Sequence, residues 1–210
     1  MSDKTKVPVA VLISGRGSNM GALIAASLEK NYPAKIVLVI SDKPDAKGLE
    51  HARDFGIEAV AIPRSDYDSK PDHEAAVSAA IAASGAQIIA LAGYMRLLSG
   101  EFVQRYSGRM INIHPSLLPA FPGLATHSRA LSAGCRVHGC TVHFVTEAMD
   151  EGPIIEQEAV RVAHDDTPDT LSQRVLEAEH RIYPKALAML ARGDVRMSRD
   201  GRALFKDSIT

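Results

Sequence analysis

The chain contains no tryptophan and only two cysteines, too few for a disulfide framework and consistent with a reducing compartment. It also lacks an excess of one charge. Twenty-four Lys and Arg face 25 Asp and Glu, giving a formal net charge of -1. That balance argues against a nucleic-acid partner, because a phosphate backbone is held by many cations acting together. Any phosphate must be met locally. No apolar run approaches the ~20 residues that span a bilayer. The opening MSDKTKVPVAVLISG has a polar start and a short apolar run without a signal-peptide core. A cytoplasmic protein with no membrane attachment is expected.

What is present reads as a folded chain. With 46% hydrophobic residues and almost no net charge, the composition is not that of a disordered segment. Its 210 residues fit one large domain or two small, tightly joined ones. Short runs rich in Val and Ile alternate with longer helical segments, the pattern of a parallel sheet with crossover helices. Strands are expected at Val7–Ile13, Ile36–Ile40, Ala59–Ile62, Ile88–Ala92, Met110–Ile113, Thr141–Val145 and Ile154–Ala159. Helices are expected near Asn19–Leu28, Gly48–Phe55, Asp72–Ser84, Ser99–Tyr106 and Ser128–Ala133, with Ser18/Asn19 and Asp45 as N-caps of the first two. The early strands are apolar at nearly every position, as when helices cover both faces. Beyond about residue 140 polar and apolar residues mix, which points to some antiparallel pairing. A long helix from about Thr170 to Arg192 should kink or break at Pro184. Asp200-Gly201 should turn a terminal hairpin. The expected fold class is α/β: a Rossmann-like, mostly parallel sheet with helices on both faces.

Two stretches carry candidate chemistry. In Val9-Ala-Val-Leu-Ile-Ser-Gly15-Arg-Gly17-Ser-Asn19, a buried strand runs through two glycines into a helix start. Glycine allows close approach of the backbone, and the free N–H groups of a helix terminus attract an anion. The loop reads either as a phosphate cradle or as a simple strand-to-helix turn. It is not a P-loop, since no Gly-Lys-Ser/Thr follows, and Gly21 falls one residue late for a dinucleotide fingerprint, which leaves a nicotinamide cofactor a distant reading.

The second stretch is Arg109-Met-Ile-Asn112-Ile-His114-Pro-Ser-Leu-Leu-Pro119. Residues two apart on a strand project from one face, so Asn112 and His114 should stand side by side where Pro115 ends the strand. Ligands in open α/β folds bind at such carboxyl ends. His138, Cys140 and His143 are all metal-ligand types, but Cys140 and His143 project to opposite faces of a regular strand and match no zinc spacing, so no metal is expected. Cys135 and Cys140 read as reduced thiols.

Taken together, Leu12-Ile-Ser-Gly-Arg-Gly-Ser-Asn19, Leu91-Ala-Gly-Tyr-Met-Arg-Leu-Leu98, Asn112-Ile-His-Pro-Ser-Leu-Leu-Pro119, His138-Gly-Cys-Thr-Val-His-Phe-Val145 and Asp150-Glu-Gly-Pro-Ile154 resemble the folate-dependent phosphoribosylglycinamide formyltransferases. The resemblance runs from about residue 7 to about residue 197. It implies a single formyltransferase domain over 1–210, with a nucleotide-binding half at about 7–110, a catalytic and folate-binding half at about 111–197 and a tail at 198–210. The Asn-x-His-Pro motif and the acidic loop are shared with methionyl-tRNA formyltransferase and formyl-tetrahydrofolate hydrolase. Both relatives carry an added domain, which a chain of 210 residues is not expected to hold.

The resemblance implies 10-formyltetrahydrofolate and glycinamide ribonucleotide as substrates, for a monomer or a homodimer. It makes Asn112, His114 and Asp150 the catalytic three. It places Gly17, Ser18 and Asn19 on the ribonucleotide phosphate and Glu179 on the ribose hydroxyls, although composition alone reads Glu179 as a solvated helix face. For the folate it implies Lys70 on the glutamate tail, Met95, Arg96, Leu97 and Leu98 along the pterin, Asn112, and the wall Thr146, Glu147, Ala148, Met149 and Asp150. Met-Arg-Leu-Leu read alone is ordinary packing. One departure is visible: after Pro122-Gly123-Leu124 the family usually has His-Thr-His, and this chain has Ala125-Thr126-His127. His51, His73, His164 and His180 read as surface or packing residues.

Overall fold

The structure, a computed structural model, describes residues 6–206. Its main sheet has seven strands: β1 (Val7–Ile13), β2 (Ala34–Ser41), β3 (Glu58–Ala61), β4 (Ile88–Leu91), β5 (Met110–His114), β6 (Val137–Phe144) and β7 (Ile154–Arg161). Their spatial order is β3-β2-β1-β4-β5-β6-β7. The first five run parallel, and β6 and β7 are antiparallel. The strand order turns back between β1 and β4, so the carboxyl ends of these strands open onto a crevice.

Alternation along the strands sorts the core into two layers. Val9, Val11 and Ile13 of β1 pack with residues from α1 (Ser18–Leu28), α2 (Lys47–Asp54) and α6 (Pro168–Arg192). Ala10 and Leu12 face the other way, toward α3 (Lys70–Ala83) and α4 (Gly100–Arg105). Helices therefore cover both faces, which is why the central strands are continuously apolar. A seven-residue helix, α5 (Thr126–Ser132), lies in the connection from β5 to β6.

Several expectations shift. The strand expected at Thr141–Val145 begins at Val137, because His138-Gly139-Cys140 pairs with β7 although its pattern is not apolar. Gly139 is required there, since a Cβ would lie 2.1 Å from the Glu158 carbonyl oxygen. The expected N-caps Ser18/Asn19 and Asp45 are not caps. Gly17, in the left-handed region at φ 72, and Ala46 occupy those positions without side-chain capping.

Helix α6 continues unbroken through Pro184. Burying Leu171, Val175, Ile182, Tyr183 and Leu187 contributes roughly 1.5–3 kcal/mol per side chain. Together these exceed the roughly 3 kcal/mol cost of an interior proline. Thr167 and Thr170 form a capping box at its start. The terminal hairpin forms as expected, with β8 (Val195–Met197) pairing antiparallel with β9 (Ala203–Phe205). The expected tail is described as far as Lys206; residues 1–5 and 207–210 lie outside the described residues.

Candidate active site

Asn112 and His114 occupy the carboxyl end of β5, where the strand's period of two places them on one face. Asp150 joins them from the loop between β6 and β7, its Oδ2 3.4 Å from His114 Nδ1. The imidazole is turned by its other nitrogen, since Nε2–H donates to the Phe121 carbonyl at 3.1 Å. Both ring nitrogens thus face acceptors, and the ring is buried. Asp150 Oδ2 also accepts the Gly123 amide N–H at 2.7 Å. Asp150 itself is left-handed at φ 59. The turn is pinned by Gly152, where a Cβ would lie 1.7 Å from the Phe144 carbonyl oxygen.

Asn112 is oriented by a residue that sequence reasoning passed over. Its partner across the antiparallel β5–β6 ladder is His143. The His143 Nδ1–H donates to the Phe144 carbonyl at 2.8 Å, so Nε2 is the acceptor for the Asn112 amide at 3.2 Å. Burial lowers the His143 pKa, opposed by the Phe144 carbonyl and the Asp150 charge, and the neutral ring that results can accept. Asn112 then keeps its second amide hydrogen for a ligand. Only the register of the sheet reveals this pairing. Among the described residues no group of His, Cys, Asp and Glu is arranged to hold a metal ion. Cys140 is buried, and that burial pushes its thiol up to about 12.

The glycine loop leads to a second cluster. Gly17, Ser18 and Asn19 form the uncapped start of α1, whose first amide groups have no intrahelical partner. Gly48 supports the loop from behind, donating its N–H to the Gly15 carbonyl at 3.1 Å. A cleft of about 520 Å³ flanks it, with Arg16, Lys47 and His180 in its lining. Asn19 donates to Glu179 Oε2 at 2.7 Å. Glu179 is 6% exposed, so it is not the solvated helix residue that composition suggests. Burial raises its carboxyl pKa to about 7, against the lowering effect of the Asn19 bond. The Asn19 Oδ1 atom is buried without a partner.

The segment Met95–Leu98 is not ordinary core packing, since Met95 and Leu97 are 69% and 70% exposed. Three contacts hold the segment and the residue that follows it in place. Ser14 Oγ accepts the Met95 amide, buried Asp42 pairs with Arg96 at 2.7 Å, and Glu74 accepts the Ser99 amide at 2.8 Å. Lys70, exposed at the start of α3, lies 3.8 Å from the same Glu74, which brings it beside this segment. The loop Thr146–Asp150 meets the segment's far end, where Glu147 packs on Gly100. Thr146 Oγ1 bonds the Ala148 carbonyl, and Met149 is exposed. Ala125, the departure from the family pattern, is an exposed left-handed N-cap at φ 55.

An amide donor, an imidazole and a carboxylate converge at the end of a central strand, with a helix-terminus loop alongside. Fold and site together define an α/β protein with a polar cluster at the carboxyl end of its central strands. The chain belongs to the formyl transferase family, which matches residues 7–187.

The trifunctional purine biosynthetic protein adenosine-3 of Gallus gallus is 48% identical over 96% of this chain, which spans about 20% of that relative's length. The phosphoribosylglycinamide formyltransferase of Bacillus subtilis is 44% identical over 86% of this chain and 93% of its own. Among solved structures, the phosphoribosylglycinamide formyltransferase of Brucella melitensis is 55% identical with a TM-score of 0.86, covering 89% of this chain and 96% of that one.

Proposed function

We propose that the protein transfers the formyl group of 10-formyltetrahydrofolate to the amine of glycinamide ribonucleotide, a step of purine biosynthesis. The carrying observation is the approach of Asp150 to His114 beside Asn112 on one face of β5. The substrate amine attacks the formyl carbon and forms a tetrahedral oxyanion. Asn112, through its free amide hydrogen, is the donor for that oxygen, the kind of contact worth roughly 2.7–4 kcal/mol in acyl transfer, and His114 holds the Asp150 carboxylate beside it. The amine proton moves, through Asp150 or a water held by it, to N10 of the folate, and the carbon–N10 bond then breaks to release tetrahydrofolate. No metal takes part in this scheme.

An amine acceptor carried on a ribonucleotide fits the second cluster. The Gly17–Asn19 amides suit its phosphate, and the buried Glu179 carboxylate suits its ribose hydroxyls. The folate lies along Met95–Leu98 and Thr146–Asp150, with Lys70 supplying charge for its glutamate tail. Lys70 keeps the charge of an arginine without its two-pronged carboxylate contact.

The test follows tetrahydrofolate release spectrophotometrically, with and without the ribonucleotide. Release that requires it, with formylated ribonucleotide as product, is expected. Formate release from the folate alone would replace transfer with hydrolysis, and binding of both ligands without turnover would leave a non-catalytic binder. Asn112→Ala and His114→Ala should each lower turnover by about 100-fold or more while the fold survives.

A further inference from the structure

The connection between β5 and α5 touches the catalytic groups at two atoms. The Phe121 carbonyl receives His114 Nε2–H, and the Gly123 amide donates to Asp150 Oδ2. This stretch has an unfavourable backbone. Phe121, Gly123 and Ala125 have φ of 55, 78 and 55, and two of the three carry a Cβ that disfavours this region. Something outside the stretch must hold it.

Arg129 does so from the second turn of α5. Its Nη1 donates to the Pro122 carbonyl at 2.5 Å and to the Leu124 carbonyl at 3.3 Å, on either side of Gly123. Its guanidinium carbon lies 5.4 Å from the centre of the Phe121 ring. Among the described residues, no carboxylate forms an ion pair with it. The planar guanidinium suits this task, because it can lie over a ring while one of its nitrogens donates to both carbonyls.

We propose that Arg129 is a positioning residue for formyl transfer, gripping residues 121–124 so that the Phe121 carbonyl aligns His114 and the Gly123 amide aligns Asp150. This rests on the reaction proposed above. The neck of the connection is held separately, by Ser116 Oγ on the Ala120 carbonyl and Thr126 Oγ1 on the Pro115 carbonyl. Loss of Arg129, whose side chain is on the surface, therefore leaves the fold intact and releases only the tip.

The experiment uses the full chain with Arg129→Gln, Arg129→Lys and Arg129→Ala. It reads kcat and KM for both substrates, the melting temperature, and hydrogen exchange at the Gly123 amide. Arg129→Gln should lower kcat by about 10- to 100-fold, the scale of a misplacement transmitted to the reacting groups. KM for the ribonucleotide and the melting temperature should stay unchanged, and Gly123 should exchange faster. Arg129→Lys should remain impaired because it lacks the planar group that lies over the Phe121 ring, and added ethylguanidinium should restore part of kcat to Arg129→Ala. Wild-type kcat in Arg129→Gln, or lowered kcat with Gly123 exchange unaltered, would overturn the proposal. If the wild-type protein fails to transfer formyl, the reaction assignment falls, and Gly123 exchange alone decides whether Arg129 holds the tip.

Discussion

Asn19 donates its side-chain amide to Glu179 across 2.7 Å, joining the first turn of α1 to the middle of α6. The pair places a carboxyl in a nearly dry site, and burial raises its pKa from 4.5 to about 7. A raised carboxyl pKa means that the native state holds the proton more tightly than the unfolded chain. Stability from this group is therefore fully present below about pH 4.5 and is lost as pH rises through about 7. Glu179→Gln should remove that loss, raising stability at pH 8 by up to roughly 3 kcal/mol and having little effect at pH 4. Thermal melts of both proteins across this range check it. For the ribonucleotide the proposed role of Glu179 gives the opposite sign, because a charged carboxylate is the better acceptor for its hydroxyls. KM for the ribonucleotide should rise as pH falls through about 7 in the wild-type protein, and be raised throughout in Glu179→Gln.

The His143 imidazole accepts from Asn112 and should act through it. His143→Ala leaves the Asn112 amide free to rotate away from the developing oxyanion. The expected result is a fall in kcat of about 5- to 10-fold, the worth of one hydrogen bond. His143→Gln, whose side-chain carbonyl can accept, should recover part of it. Steady-state kinetics of the two variants provide the check, and an unaltered kcat in His143→Ala would remove His143 from the reaction.

Asn112 and His114 are legible in the sequence because strand alternation and a terminating proline are local properties. Resemblance supplied Asp150 from the acidic loop. His143 was not legible, since its role depends on a cross-strand register that the sequence does not announce. Phe121 and Gly123 stayed hidden for another reason: they act through a backbone carbonyl and an amide, which any residue possesses. Pro184 misled in the opposite direction. Its local penalty was read correctly, but the buried face of α6 outweighs it. Likewise, Glu179 looked like one more charged helix residue until packing against α1 and the sheet removed its solvent.

Tyr183 should support the site from beneath. Its hydroxyl donates to the Leu91 carbonyl at 2.9 Å and reaches the Ile111 carbonyl at 3.3 Å, bridging β4 and β5 just before Asn112. The side chain is fully buried. Tyr183→Phe keeps the ring and leaves those carbonyls without this donor, which should cost about 1–3 kcal/mol. For a chain of this size that lowers the melting temperature by about 2–4 °C per kcal/mol. Calorimetry checks the loss, and a melting temperature equal to that of the wild-type protein would show that the two strands hold their spacing unaided.

Gly152 should be the most sensitive position outside Asn112, His114 and Asp150. A Cβ there would sit 1.7 Å from the Phe144 carbonyl oxygen and 3.2 Å from His143 Nδ1, the atom that fixes the His143 ring. Backbone cannot yield as a flexible side chain does, so Gly152→Ala must push the turn outward. Asp150 lies two residues away in a left-handed conformation and would move with it. Its contacts to His114 and the Gly123 amide depend on that placement. A displacement of about 1 Å is enough to cost roughly 100-fold in rate. Gly152→Ala should therefore fold with reduced stability and turn over about 100-fold more slowly, with the loss in kcat exceeding any rise in KM for the ribonucleotide, whose proposed site is the glycine loop. A variant with normal kcat would show that the carboxylate keeps its place without the Gly152 contact.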